Sequence, residues 1–573
     1  MDCCFSFNRI RSRLDVSCSW YLLSGAFLLL LGTQNALGDD KFNPEGSPGP
    51  LVICGGGLLP TEIREKFVEL AGGKHAKLVI VPTANPRTDR DQNFDLFLEP
   101  WLHYELSTID VIHANSREEA GQANFSRILQ EATGVWISGG NQSRLADRYL
   151  DTEVEAEIRA VRGRGGVVGG TSAGAAIMSR VMIADGFARP QIETGFDLFP
   201  DAIIDQHFSQ RNRWQRLVAA MKTNPHRVGV GIDEQTALVV LGRRAEVMGR
   251  GKVLMHLSAD DSGHPLVREF SPGEALDITS WRRAARNAVV QQYPLPSPQS
   301  PRVASGSLVF TGGGEVPDSV ARRVMDLAGG PDAPIVILQA GEPNAQTQTH
   351  DDPFAQALQP FGPKRVVFVQ PKNKSDVDQP ETLELLREAR AVWFGSGEKW
   401  RWIDLYEGTQ ALPLIRQVLE RGGVVGANAE AASLQSEMLM RANPLGSPET
   451  VALGYERGFG FLPGTAVDRH FGEKKGFDEL LSVMKRYPQM MGVGIDESTA
   501  LIVSGSTGQV HGKGNVHFCN TGNSNNTSTQ ELNVKSPVVA DEPLVWQRVA
   551  NGESYDFQNR RLVEIVTVDP GQR

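Results

Sequence analysis

The sequence predicts an α/β protein of two tandem three-layer α/β/α domains. Each has a mainly parallel sheet and a small antiparallel extension. Three observations predict this. Short apolar runs alternate with helical stretches, the pattern is written twice along 573 residues, and toward the end of each copy the runs crowd together with only turns between them.

In the first copy the apolar, β-rich runs are 51–54, 78–82, 108–112, 135–138 and 166–169. Apart from Thr108 and Asp110 on one face of the third run they are almost wholly apolar, as expected of parallel strands buried on both sides. Between them lie stretches such as Leu145 to Arg162, where charged and apolar residues alternate at helical spacing. Beyond Gly229 the strands follow one another closely, which reads as the antiparallel extension.

The duplication is explicit. Leu51 to Gly57 (LVICGGG) falls on Leu308 to Gly314 (LVFTGGG). At the same offset Val135-Trp136-Ile137 falls on Val392-Trp393-Phe394, and Gly165 to Gly169 on Gly422 to Gly426. After a small insertion Asp205-Gln206-His207-Phe208 matches Asp468-Arg469-His470-Phe471, and GVGIDEQTALVV from Gly229 matches GVGIDESTALIV from Gly492. A period of domain length excludes a solenoid. The expected domains are 50–290 and 307–573. They are joined by a linker, 291–306, that carries Pro294, Pro296, Pro298 and Pro301. Asn520 to Gln530, rich in Asn, Ser and Thr, reads as a loop.

Residues 1–38 read as a signal peptide. Arg9, Arg11 and Arg13 precede an almost unbroken apolar run from Trp20 to Leu31, and Ala36-Leu37-Gly38 puts small residues before Asp39. The run is short of the roughly 20 residues of a membrane span. The expectation is export, to the periplasm or outside the cell, without a stable membrane anchor. Cys3, Cys4 and Cys18 lie in this leader. Cys54 and Cys519 remain, one per half, and their pairing is left open, although Cys54 ends an apolar run and reads as a buried strand residue. A net charge of −10 argues against a surface built for nucleic acid. The triple glycines extend to neither GxGxxG nor a GK[ST] loop, so dinucleotide or ATP binding has no support.

The most informative stretch is Gly169-Gly170-Thr171-Ser172-Ala173-Gly174-Ala175-Ala176, which places Gly170-x-Ser172-x-Gly174 between a buried strand and an Ala-rich helix start. A nucleophile elbow needs that context, because a sharp turn lifts the serine hydroxyl to the sheet edge and small neighbours let strand and helix approach. The plain alternative is an unreactive strand-to-helix turn. Serine needs a base and an orienting acid. Of eleven histidines, His207 ends the apolar stretch Ala202 to Ile204, where a strand would deliver it to the sheet edge. Asp233 and Glu234 both close the run Val228 to Ile232. Neighbours on a strand face opposite ways, so only one can meet the histidine. The Ala173 N–H and that of Gly139 or Gly140 are candidates for an oxyanion site; Gly139-Gly140-Asn141 also reads as a helix entry capped by Asn. Arg211, Arg213 and Arg216 follow His207. Their forks suit a substrate with carboxylates, and Arg213 and Arg216 share a helical face.

GGTSAGAAIMS at Gly169 to Ser179, DQHFSQRNRWQRL at Asp205 to Leu217 and GVGIDEQTAL at Gly229 to Leu238 resemble the cyanophycinase family of serine exopeptidases. These are relatives of the α-aspartyl dipeptidases, with a flavodoxin-like fold similar to class I glutamine amidotransferases. The resemblance covers most of residues 50–260. It implies Ser172 as nucleophile, His207 as base and Glu234 rather than Asp233 as third member. It places Gln142, Asp205, Gln206, Arg211, Arg213 and Arg216 around the substrate, and implies neither metal nor cofactor. Its substrate is the branched Asp–Arg polymer cyanophycin, cut to β-Asp-Arg dipeptides. The family's enzymes are homodimers of single domains, so two fused copies imply an intrachain pseudo-dimer.

The second copy departs from the pattern. Ala429 stands at the place of Ser172, Asn428 at Thr171, Ala431 at Gly174, Lys474 at Arg211, Gly476 at Arg213 and Glu479 at Arg216, while His470 and Glu497 remain. Ser433, the nearest hydroxyl, falls a full turn into the helix. The expectation is a degenerate second domain and one active site per chain. A glutaminase reading fails because that chemistry needs cysteine at position 172. The alternative from another class is a non-catalytic exported binding protein for anionic peptides.

Overall fold

Strands that are apolar on both faces are buried only when helices cover both sides of their sheet, and the first half of the chain does this. The computed structural model describes residues 42–91, 93–258, 265–290, 293, 299–340, 352–446, 449–469, 471, 472, 474–520 and 544–563. The leader 1–38, most of the proline-rich part of the linker, His470 and the loop from 521 onward lie outside the described residues.

Five strands, β1 (Ser47–Cys54), β2 (Lys77–Val81), β3 (Thr108–Val111), β4 (Gly134–Ile137) and β5 (Val167–Thr171), run parallel in the order β1-β5-β4-β2-β3. They match the five sequence-predicted runs within a few residues. Leu51 and Ile53 of β1 enter one core with Leu145, Tyr149, Ile158 and Val161. Val52 and Cys54 point the other way, into a core with Ile63, Phe67 and Trp136. The α/β fold class is as expected. One expectation needs correction: Leu145 to Arg162 is two helices, Gln142–Tyr149 and Glu153–Gly163. Asp151 breaks the helix with a φ of 57°, and the Thr152 hydroxyl donates back to the Tyr149 carbonyl.

After β5 the chain forms a hairpin, β6 (Val181–Asp185) with β7 (Gln191–Thr194), then β8 (Ala202–Gln206) and β9 (Val228–Ile232). Next come β10 (Thr236–Gly242), β11 (Arg244–Gly249), β12 (Val253–Leu257), β13 (Leu266–Phe270) and β14 (Ala275–Asp277). Strands β10, β11 and β14 extend the main sheet antiparallel from β1. The remainder differs from expectation. Strand β8, which leads to His207, belongs to a second sheet of order β13-β12-β9-β8. The chain crosses from β9 to β10 within Asp233–Gln235, and this brings the end of β8 beside the end of β1.

The second half comprises β15 (Ser307–Thr311), β16 (Ile335–Ala340), β17 (Val366–Val369), β18 (Ala391–Gly397), β19 (Val424–Ala427), β20 (Ser436–Met438), β21 (Leu462–Arg469), β22 (Met491–Ile495), β23 (Thr499–Ser504), β24 (Thr507–Gly512), β25 (Asn515–Asn520), β26 (Val545–Ala550), β27 (Ser554–Asp556) and β28 (Arg561–Leu562). Its main sheet runs β17-β16-β18-β19-β15-β23-β24-β27-β28, and β20-β21-β22-β25-β26 form a second sheet. Read from its parallel edge, the main sheet repeats the order of the first. The halves meet along the helix Ile278–Val290, whose buried Arg283 pairs with Asp404 and Glu407. Cys54 and Cys519 are both buried free thiols. Among the described residues no helix is long and apolar enough to cross a membrane.

Candidate active site

Ser172 is the first residue beyond β5. Its N–H donates to the Cys54 carbonyl at 3.1 Å, at the carboxyl edge of the paired strand. Its backbone lies at φ 54°, ψ −111°, a sparsely populated region that costs on the order of 1–3 kcal/mol and clusters at functional sites. The following glycine permits the turn, since a Cβ on Gly174 would sit 2.0 Å from the Ile137 carbonyl oxygen. Ser172 is half-buried at the start of the short helix Ala173–Ala176.

His207 directly follows β8, and its N–H donates to the Gly55 carbonyl at 2.7 Å. Its Nε2 lies 2.8 Å from Ser172 Oγ and its Nδ1 2.6 Å from Glu234 Oε1. With Nδ1–H donating to the carboxylate, Nε2 is left to accept the serine proton. The triple glycine after β1 makes room for the ring: a Cβ on Gly56 would fall 2.3 Å from His207 Cε1. Asp233 faces elsewhere, accepting the N–H groups of Ser209 at 3.0 Å and Lys252 at 3.1 Å. Of the two adjacent acids, therefore, Glu234 reaches the imidazole. Burial lowers the His207 pKa below its ordinary value. The Glu234 hydrogen bond opposes this in part, and the nearby Arg211 charge adds to the lowering.

Among the described residues the N–H groups of Gly139, Gly140 and Ala173 make no hydrogen bond. Gly139 lies against the serine, a Cβ there falling 3.2 Å from Ser172 Cβ and 3.8 Å from Oγ. Gly140, at φ 150°, carries the turn over Ala84, and Asn141 caps the next helix by accepting the Ser143 N–H.

The other residues singled out by sequence cluster here with different exposures. Arg211 is exposed and makes no ion pair among the described residues. Arg213 donates to the Gln206 carbonyl at 2.6 Å, to the Gln206 side chain, and to Asp205 at 3.4 Å. Arg216 and Asp205 are buried and paired, with Arg216 Nε 3.0 Å from Asp205 Oδ2. Gln142 is buried and donates to the Ile183 and Ala184 carbonyls at 2.8 and 2.7 Å.

Sequence reasoning missed an ion cluster beneath the Gly139-Gly140 loop. Asp89 accepts from both Arg144 and Arg148, which hold its carboxyl far below the usual range, and Arg144 also donates to the Thr83 carbonyl. No local spacing signals it, because Asp89 lies in the one-turn helix Thr88–Asp91, more than 50 positions before the helix that carries both arginines.

In the second half Ala429 keeps a positive φ of 31° at the elbow. Glu430, at the place of Ala173, pairs with the buried Lys399 at 3.3 Å and with Arg469.

Residues 51–248 match the model of Peptidase family S51. The cyanophycinase of Synechococcus elongatus is 32% identical over 249 residues, covering 41% of this chain and 76% of that protein. That of Geminocystis herdmanii is 35% identical over 203 residues, covering 34% of this chain and 73% of that protein. Among solved structures, a peptidase from an acI-B1 actinobacterium aligns with TM-score 0.33 and 24% identity over 41% of this chain and 99% of that one.

Proposed function

The chain belongs to peptidase family S51 and is a serine-type peptidase, and from that premise we propose that Ser172, His207 and Glu234 are its triad and that it is an exopeptidase for Asp-containing peptides or Asp–Arg polymer. The observation that carries this reading is the continuous relay from Ser172 Oγ through the His207 ring to Glu234, at 2.8 and 2.6 Å. Ser172 Oγ attacks the scissile carbonyl while His207 Nε2 takes its proton. Glu234 holds the ring and stabilises the imidazolium that forms. The tetrahedral oxyanion is met by the N–H of Ala173 and by that of Gly139 or Gly140; losing a single donor of this kind typically costs about 10²–10³ in rate. Collapse returns the proton to the leaving amine and leaves an ester on Ser172. Water, deprotonated by the same imidazole, then hydrolyses the ester.

Arg211, exposed beside His207, is the cation available to a substrate carboxylate, and Arg213 and Gln206 stand next to it. The relatives are named as cyanophycinases, which supports an Asp–Arg substrate class here. The leader-like residues 1–38 support export. The alanine at 429 and the ion-paired Glu430 support an inactive second half, held against the first as an intrachain pseudo-dimer.

Purified protein is expected to be labelled on Ser172 by a fluorophosphonate and to release dipeptides from cyanophycin or cleave Asp-Leu. Absence of labelling together with tight binding of an acidic peptide would make the chain a binder instead. The pH profile has a definite sign. The neutral imidazole is the base, so kcat/KM rises with pH through the His207 pKa, and that limb lies below the ~6.5 of free histidine. Arg211→Gln removes a charge that lowers this pKa, so the limb moves to higher pH. A shift to lower pH would contradict the assignment.

A further inference from the structure

The hairpin β6–β7 is tied down on both sides of Ser172. Gln142 begins the helix that follows Gly139-Gly140, and its amide spends both N–H groups on the hairpin carbonyls of Ile183 and Ala184. On the other side Asp205, two residues before His207, is 1% exposed and grips Arg216, which is 4% exposed. Arg216 in turn donates to the Gly186 carbonyl at 3.0 Å, at the start of the hairpin turn. Beyond these ties the turn carries Phe187, 66% exposed, and the exposed Arg189, and every residue of β7 is exposed.

The second half repeats the ties with other chemistry. Lys399, at the place of Gln142, donates to the Met440 carbonyl at 2.9 Å, and Met440 stands at the place of Ile183. Asp468, at the place of Asp205, accepts from Arg441, which stands at the place of Ala184 and also pairs at 2.7 Å with Glu479, at the place of Arg216. The cation has moved from the helix to the segment after β20, and an acid has taken its place. The contact has therefore survived a reversal of polarity in a half whose nucleophile position is alanine. A contact kept there is not kept for substrate.

We propose that Gln142, Asp205 and Arg216 are positioning residues that fasten the hairpin beside Ser172, and that the hairpin, through its Phe187–Arg189 tip, is the wall against which substrate is selected. The second clause rests on the serine-peptidase reading; the first does not. Substrate contact then falls to Arg211 and Arg213, whose places in the second half are taken by Lys474 and Gly476.

The test copies the second half into the first. Arg216→Glu loosens the hairpin. KM on cyanophycin is expected to rise roughly tenfold with a smaller change in kcat, as for a misplaced wall rather than a lost reacting group. Chymotrypsin is expected to cut after Phe187 roughly tenfold faster, as a locally released segment does. Adding Ala184→Arg to Arg216→Glu restores the link with reversed polarity and returns both readouts to within about threefold of the parent. If Arg216 itself binds substrate, the double variant folds and resists chymotrypsin but keeps the raised KM, and the proposal is overturned. Should Arg216→Glu fail to fold, Gln142→Ala cuts the other tie, and unchanged cleavage after Phe187 in that variant also overturns it. The proteolysis readout needs no turnover, so a chain inert toward every peptide would sink the triad reading and leave the fastening claim standing on its own result.

Discussion

Ser172→Ala is expected to abolish hydrolysis by the whole chain, lowering kcat/KM by at least about 10⁴-fold, or about 5.5 kcal/mol of transition-state stabilisation. The substitution removes only Oγ and its 2.8 Å contact with His207, so the melting temperature should stay within a few degrees of the parent. On the proposed reading the second half supplies no substitute. Its elbow residue is Ala429, and the position after it is Glu430, a carboxylate where an oxyanion would need an N–H donor field. Adding Ala429→Ser to Ser172→Ala is therefore expected to recover nothing, because Lys399 and Arg469 hold Glu430 in that place. The check is peptide turnover and fluorophosphonate labelling of the parent, single and double variants side by side. Turnover surviving in the single variant would move the nucleophile elsewhere. Turnover returning in the double variant would give the second half a working oxyanion site.

The sequence carried the main sheet well, because strands buried on both faces leave a local mark: the buried parts of β1, β2, β4 and β5 are almost purely apolar, and β1, β4 and β5 are flanked by glycines. The elbow was legible for the same reason, its glycines being demanded by close approaches such as Gly174 on Ile137. The triple glycine after β1 was legible only as not being a nucleotide loop. What it does, leaving space for the His207 ring, depends on a strand more than 140 positions away in the chain. The choice between Asp233 and Glu234 could not be read from alternation alone, because alternation fits either acid equally and only the placement of β8 in the second sheet separates them. The hairpin β6–β7 escaped notice because β7 is wholly exposed and so lacks the apolar alternation of a strand. Arg216 read as a carboxylate receptor; its partner Asp205 lies eleven residues back on another element, a pairing only the fold discloses.

Arg283→Ala is expected to cost about 3–5 kcal/mol of stability, the usual penalty for stripping a buried carboxylate of its partner. Arg283 lies on the first-half helix Ile278–Val290, is 4% exposed, and pairs across the halves with Asp404 and Glu407 while stacking over the Tyr455 ring at 4.9 Å. Burial lowers the Arg283 pKa, and the two carboxylates more than reverse this, so the cation is held. Asp404 is 2% exposed. Burial raises its pKa against the pull of Arg283 and Arg243, so losing Arg283 raises it further. The sign of the pH dependence follows. A carboxyl whose folded pKa is raised stabilises the fold when protonated and loses that contribution as pH climbs through the folded value. The deficit of the variant should thus be largest near neutrality and shrink toward pH 4, measured as the urea midpoint at each pH. The same helix turns Arg282 and Arg286 toward Asp201, the residue that leads into β8 and so toward Asp205 and His207. Loosening the junction should therefore lower kcat/KM as well, though by less than Ser172→Ala. A urea midpoint that does not change at any pH would mean that the contact between the halves is held by packing and that Arg283 adds nothing to it.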